Sequence, residues 1–286
     1  MNVWVEAARP RTLPAAVAPV LVGTAAADRV IVWRFVAALV VGLAIQVGVN
    51  YANDYFDGVA GVDTAERVGP RRAVASGLVA PPAMRNAMLA AFAVAAVAGL
   101  ALGAAAGWQL VAVGALCFLA ALGYSGGPRP YASAGLGEVF VFVFFGLVAT
   151  LGAAYVQAET IPAAAVPAAV AMGLLAVALL VVNNLRDIPT DTAAGKRTLA
   201  VRLGDARTRV LYRGLLVAAP VAAVAVAAVA GSPAPLLALL AVPAAVPALR
   251  RVGAGAVGRD LIAALGATAR FQLVFALLLA AGLVVA

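Results

Sequence analysis

The sequence predicts an all-α integral membrane protein, a bundle of about nine transmembrane helices. Three observations predict it. Hydrophobic residues fill 65% of the 286 positions and charged residues only 11%, and the mean hydropathy of +1.05 lies well above that of soluble domains. Apolar stretches of about twenty residues, enough to cross hydrocarbon, recur along the chain. They are continuous rather than alternating, so helices and not a barrel would satisfy the backbone in lipid.

In order, the spans are expected at 13–27, 35–53, 87–106, 108–124, 138–156, 163–184, 211–230, 234–249 and 271–286. The first follows Arg9-Pro10-Arg11, is short, and carries Pro14 and Pro19, which should kink or tilt it. The second ends in a polar run from Asn50. The third and fourth share one uncharged stretch from Asn86 to Pro128, folded at Gly107. The fifth starts at Glu138 and is rich in aromatic residues; the sixth ends at Asn183-Asn184. The seventh follows an arginine-rich stretch, the eighth is short and holds Pro243 and Pro247, and the ninth closes the chain. No cleavable signal peptide is expected, because Glu6, Arg9 and Arg11 precede the first run without a leader-like apolar core. One membrane domain of two echoing halves is expected over residues 1–286.

Charge sets the expected orientation. Arg29 and Arg34 lie between the first two spans, and every other basic residue falls at the N-terminus or after an even-numbered span. The positive-inside rule then makes those loops cytoplasmic and the C-terminus external, in a plasma membrane. The net charge of +8 therefore reflects loop arginines and calls for no nucleic acid. Cys117 is the lone cysteine and there is no histidine, so an intramolecular disulfide is excluded and a zinc or haem site is not expected.

Two acidic segments interrupt this apolar background. The first runs Asn50-Tyr-Ala-Asn53-Asp54-Tyr-Phe-Asp57 and on to Asp63; the second is Asn183-Asn184-Leu-Arg-Asp187-Ile-Pro-Thr-Asp191. In each, an Asn precedes an Asp by four, and a further Asp, a Gly and a basic cluster follow, which is the internal echo. Residues three and four apart share a helix face, so each segment would form a polar stripe on the last turn of its span. Ionised carboxylates at such positions are costly, and unfavourable to a helix C-terminus, unless a cation offsets them. Carboxylate and amide oxygens suit Mg2+, which keeps one or two carboxylates with phosphate oxygens and water. Arg67, Arg72, Lys196 and Arg197 are candidates to clamp a diphosphate, with topology signals as the alternative reading. A third polar island, Tyr124-Ser-Gly-Gly-Pro-Arg129-Pro-Tyr131, breaks the fourth span. Tyr124 and Tyr131 are candidates to stabilise a developing cation or to anchor in the interface. Asn50, Asn183 and Asn184 join them as candidate substrate contacts.

These residues resemble the UbiA superfamily of intramembrane prenyltransferases. The resemblance rests on Asn53-Asp54-Tyr-Phe-Asp57 with Asp63 and Arg67, and on Asn183 through Thr198; it covers essentially the whole chain. Ala8-Arg9-Pro10-Arg11-Thr12-Leu13-Pro14, the Tyr-Ser-Gly-Gly-Pro island and Gly135-Leu-Gly-Glu138 resemble the branch that prenylates 1,4-dihydroxy-2-naphthoate in menaquinone biosynthesis. The resemblance implies a cavity open to lipid and capped by cytoplasmic loops. It implies Mg2+ held by Asn53, Asp57, Asp187 and Asp191, assisted by Asp54 and Asp63, and diphosphate neutralised by Lys196, Arg67 and Arg129. It implies transfer of a polyprenyl group from a prenyl diphosphate to the naphthoate, with loss of diphosphate and CO2. Two departures stand out. Ser133 occupies a position where the family usually has Tyr, and Gly61 one where other branches have Asp. Two rivals remain at this stage: the same chemistry on 4-hydroxybenzoate, homogentisate or haem, and a secondary transporter, whose ionisable residues would sit nearer midmembrane.

Overall fold

The structure is a computed structural model and describes residues 2–61, 69 and 71–286. A short helix α1 (Val3–Ala8), capped by the Asn2 side chain, and a 3-10 turn at Pro10–Thr12 precede the bundle. The bundle helices are α2 (Pro14–Ala25), α3 (Val32–Val59), α4 (Pro81–Ala106), α5 (Gln109–Ser125), α6 (Gly137–Ala158), α7 (Ala165–Ala193), α8 (Leu199–Ala230), α9 (Ala234–Gly253) and α10 (Arg259–Val284). Among the described residues seven of these are long and apolar enough to cross a membrane; α2 and α5 are shorter apolar helices, where the sequence predicted the short first and fourth spans.

α7 is the axis of the bundle. It is apolar on every side and buried over most of its length, as a helix without a polar face must be. It packs on α8, α10, α6 and α2, while α3 packs on α4 and α5. Small residues set the spacing. A Cβ on Gly146 would collide with Gly173 backbone, so α6 and α7 touch through bare main chain. Next to that contact, Phe142–Val148 of α6 winds as a π-helix, a local widening frequent beside functional sites.

The proline expectations hold in part. α2 starts at Pro14 and carries Pro19 without a break in the helix, whereas α9 is 3-10 from Ala234 to Ala245 and turns α-helical only at Val246. Two boundaries differ more. α8 begins at Leu199, is broken at Gly204 (φ 76°), and α10 begins at Arg259, so stretches read as loops are helical. Their charged residues are those of amphipathic helix starts, and Arg and Ala favour helix whether or not lipid surrounds them.

Arg34 explains one exception in the charge pattern. Its guanidinium donates to Ala105 O at 2.9 Å and Val156 O at 2.8 Å and pairs with Glu159 at 3.0 Å. It thus caps the C-termini of α4 and α6, where a cation offsets the helix dipole. Asp57 sits near the other end of α3, about 35 Å away by helical rise. The molecule therefore has an acidic pole and an opposite, arginine-capped one.

Candidate active site

Each acidic motif is placed by how its helix ends. α7 runs through Asp187 and Asp191 and stops at Ala193. Gly195 follows at φ 71°, with Gly195 N–H donating to Thr192 O and Lys196 N–H to Asp191 O at 2.8 Å. That is a Schellman closure, which needs glycine at the left-handed position. It folds the Lys196 backbone back onto the last turn of α7. α3 ends sooner, at Val59, and Gly61, at φ 66°, stands outside the helix where an aspartate would continue the stripe. The two motifs echo in sequence and diverge in their last turn.

The poles of the two motifs meet. Asp57, 7% exposed, accepts from Lys196 Nζ at 3.1 Å across 139 residues of sequence, and from Arg72 Nη2 at 3.4 Å. Asp187, 4% exposed, is held bidentately by Arg186 Nε and Nη2 at 2.7 Å, and Arg186 also donates to Asn183 Oδ1. Asn53 Oδ1 accepts from Ser125 Oγ at 2.7 Å, tying the island after α5 to the first motif. Buried carboxylates thus face cations, as low-dielectric surroundings demand. The oxygens of Asn53, Asp57, Asp187 and Asp191 are hard donors on the last turns of α3 and α7, which the Lys196–Asp57 pair joins. Among the described residues no three Asp, Glu, His or Cys side chains form a ready cage, and an ion completed by phosphate oxygens needs none.

Asp54 is differently employed. It is 1% exposed and both oxygens accept from backbone amides, Ala73 at 3.0 Å and Val74 at 2.9 Å. It caps a single turn at 72–77 that carries Arg72. The structure therefore sets Asp54 apart from the Asn53–Asp57 face on which the sequence grouped it. Asp63 and Arg67 lie outside the described residues.

A cavity of about 1010 Å³ lies beside these groups: Asp57, Asp187, Asp191 and Lys196 are not in its wall, whereas Arg72 and Arg186, the partners of Asp57 and Asp187, are. Asn50, Asn53, Arg72, Tyr124, Tyr131, Asn183 and Arg186 are among its polar lining, with Arg9 and other residues of the N-terminal segment, and apolar residues of α2 to α7 and of α10 line most of the rest. Tyr131 stacks on Phe140 (3.9 Å, 19°) and edge-on with Tyr124 (5.5 Å), and Phe140 continues to Phe144 (6.0 Å), giving an aromatic wall. Burial pushes the Tyr131 phenol up from its usual range, so its hydroxyl remains a donor, to Ala120 O at 2.8 Å.

Not every candidate arrives. Arg129 and Arg197 are exposed and off the cavity wall; Arg197 is used through its backbone, donating to Ser133 O at 3.0 Å. Asn184 donates to buried Glu138 at 3.0 Å and also lies off the wall. Asn50 lines the cavity, but its amide donates to Ala8 O at 2.9 Å and to Thr12 Oγ1 at 3.4 Å, so it holds the N-terminal segment. The sequence reading gave no role to Arg186 or Ser125. Arg186 was detectable as the cation next to Asp187 and three residues after Asn183; nothing in sequence points from Ser125 to Asn53.

Comparison with known proteins decides the lineage. Residues 16–256 match the UbiA prenyltransferase family. The chain belongs to that family. It is 48% identical over 283 residues, 98% of its own length and 96% of the relative's, to the 1,4-dihydroxy-2-naphthoate octaprenyltransferase of Mycobacterium tuberculosis. The UbiA fold is matched in solved structures: a UbiA homolog from Aeropyrum pernix K1 (TM-score 0.70, 16% identity, 96% of each chain) and one from Archaeoglobus fulgidus bound to DMAPP and Mg2+ (TM-score 0.65, 15% identity, 99% of each chain). As a UbiA family member this chain is a multi-span membrane prenyltransferase.

Proposed function

We propose that the chain transfers a polyprenyl group from a prenyl diphosphate to 1,4-dihydroxy-2-naphthoate, giving demethylmenaquinol, diphosphate and CO2. One observation carries the reaction class: a mostly apolar cavity is lined at its polar part by Asn53, Arg72, Asn183 and Arg186, and Arg72 joins it to the pair in which Asp57 of one motif meets Lys196 of the other. An apolar chain and an anionic head group fit such a space. The acceptor assignment rests on the near-full-length relatives of that name, at 48% and 46% identity.

In this reading Asn53, Asp57, Asp187 and Asp191 would hold Mg2+, with Asp63 as a further candidate. Bound Mg2+ supplies positive charge that stabilises the departing diphosphate. Lys196 and Arg72 add donors at the same pole, and Arg67 is assigned there too. Their preorganised charge favours ionisation of the C–O bond in a site shielded from water. The π faces of Tyr124 and Tyr131 stabilise the allylic cation. The ring carbon that bears the carboxylate attacks it, forming the new C–C bond. CO2 then leaves, and the electrons of its bond restore the aromatic ring. The acidic pole faces the cytoplasm of a plasma-membrane protein, and the two motif-bearing halves act as one domain.

The test is a product assay on purified protein with Mg2+, a long prenyl diphosphate and the naphthoate. Prenylated product with stoichiometric CO2 is expected. Product only with 4-hydroxybenzoate or homogentisate would move the chain to another branch of the family.

A further inference from the structure

We infer that Arg9 recognises the carboxylate of the aromatic acceptor, in a subsite between the N-terminal segment and the aromatic wall. The inference rests on the reading that the acceptor is an aromatic carboxylate.

Arg9 is half-buried and lines the cavity. Its backbone is left-handed, φ 53° and ψ 70°; among the described residues only one other non-glycine, Glu159, has positive φ. The position is the end of α1, where Arg9 N–H closes on Glu6 O. Glycine is the residue such a helix end favours, because any Cβ is strained there. An arginine kept at a glycine position, with its side chain toward a cavity, points to use of the side chain.

The surrounding contacts hold this backbone from both sides. Asn50 donates to Ala8 O, while Thr12 donates its N–H and its hydroxyl to Arg9 O, at 2.9 and 3.0 Å. Gln46 donates to Thr12 Oγ1 at 3.0 Å. Gln46 and Asn50 are one turn apart on α3, on the stripe that continues through Asn53 to Asp57. The carbonyls on either side of Arg9 are thereby fixed to the helix that carries the acidic pole. Asn50 and Asp57 are separated by about 10 Å along the axis, so the Arg9 anchor and the diphosphate pole bracket a gap. Tyr124, Tyr131, Phe140 and Phe144 line the same cavity and offer flat faces to an aromatic ring. A guanidinium matches a carboxylate bidentately, which would fix both position and orientation of the ring. Of the other arginines that line the cavity, Arg72, Arg186 and Arg71 pair with Asp57, Asp187 and Glu6, and Arg11 and Arg259 are exposed.

Arg9→Gly tests this directly, since glycine suits the backbone and removes only the side chain. The variant should remain folded, with its helical circular dichroism spectrum retained. The KM for 1,4-dihydroxy-2-naphthoate should rise about tenfold or more, the loss expected for one charge-assisted contact. The KM for the prenyl diphosphate should stay within about twofold, and inhibition by 1,4-dihydroxynaphthalene, which lacks the carboxylate, should not change. Arg9→Lys should recover part of the affinity. Binding of the naphthoate to metal-free protein, followed by its fluorescence, should weaken in parallel. An unchanged acceptor KM, or an equal rise in both KM values, would overturn the assignment. If the wild type turns over a different aromatic acceptor and not the naphthoate, the proposed function falls before any variant is compared.

Discussion

Asp57 and Asp187 are buried, and guanidinium or ammonium groups stand against them, as a buried charge requires. Substituting Asn keeps shape and removes charge. Asp57→Asn and Asp187→Asn are each expected to cut turnover at least about 100-fold, the scale of losing a preorganised charge at a transition state, with the helical circular dichroism spectrum retained. Near-normal rates in either variant would remove that residue from the metal site. Asp54→Asn should behave differently. Its oxygens serve two backbone amides, so the variant should lose about 1.5 kcal/mol of stability and keep the wild-type Mg2+ concentration for half-maximal activity. A weakened Mg2+ response would make Asp54 a ligand after all.

At the scale of elements, buried cations hold helix ends. Arg209 was readable only as a topology signal, yet it is 8% exposed, pairs with Asp205 one turn earlier, and donates to Val252 O and Ala256 O at 2.8 Å. It staples the start of α8 to the end of α9. Arg209→Ala should lower stability by about 2 kcal/mol through the lost carbonyl contacts, seen as a lower melting temperature in detergent. An unshifted melt would mean that water replaces the guanidinium without cost. The break at Gly204 and the early starts of α8 and α10 were hidden for a related reason. Charge marks where lipid ends and says little about where helix ends.

For the whole molecule, the two poles differ in chemistry. One gathers Asp57, Asp187, Lys196 and the island after α5; at the other Arg34 and Glu159 lock helix ends. In a Cys117→Ala background, a cysteine at Arg129 should react with a membrane-impermeant maleimide only from the cytoplasmic side, and one at Ser232 only from outside. The reverse pattern would invert the proposed topology. Removing divalent metal with EDTA should abolish prenyl transfer, and added Mg2+ should restore it. Activity that survives chelation would refute the metal assignment as a whole.

The sequence by itself determined the all-helical membrane architecture, because apolar length and continuity leave the backbone no other way to bond in lipid. It also determined the two Asn-to-Asp stripes, since i and i+4 share a face wherever a helix forms. The tertiary structure alone decided which of these groups meet. Lys196 reaches Asp57 across 139 residues, Ser125 reaches Asn53, and Asp54, next in sequence to Asn53, is drawn off to the amides of Ala73 and Val74. Local periodicity fixes the face a side chain occupies on its own helix. Only the packing of other segments against that face selects its partner.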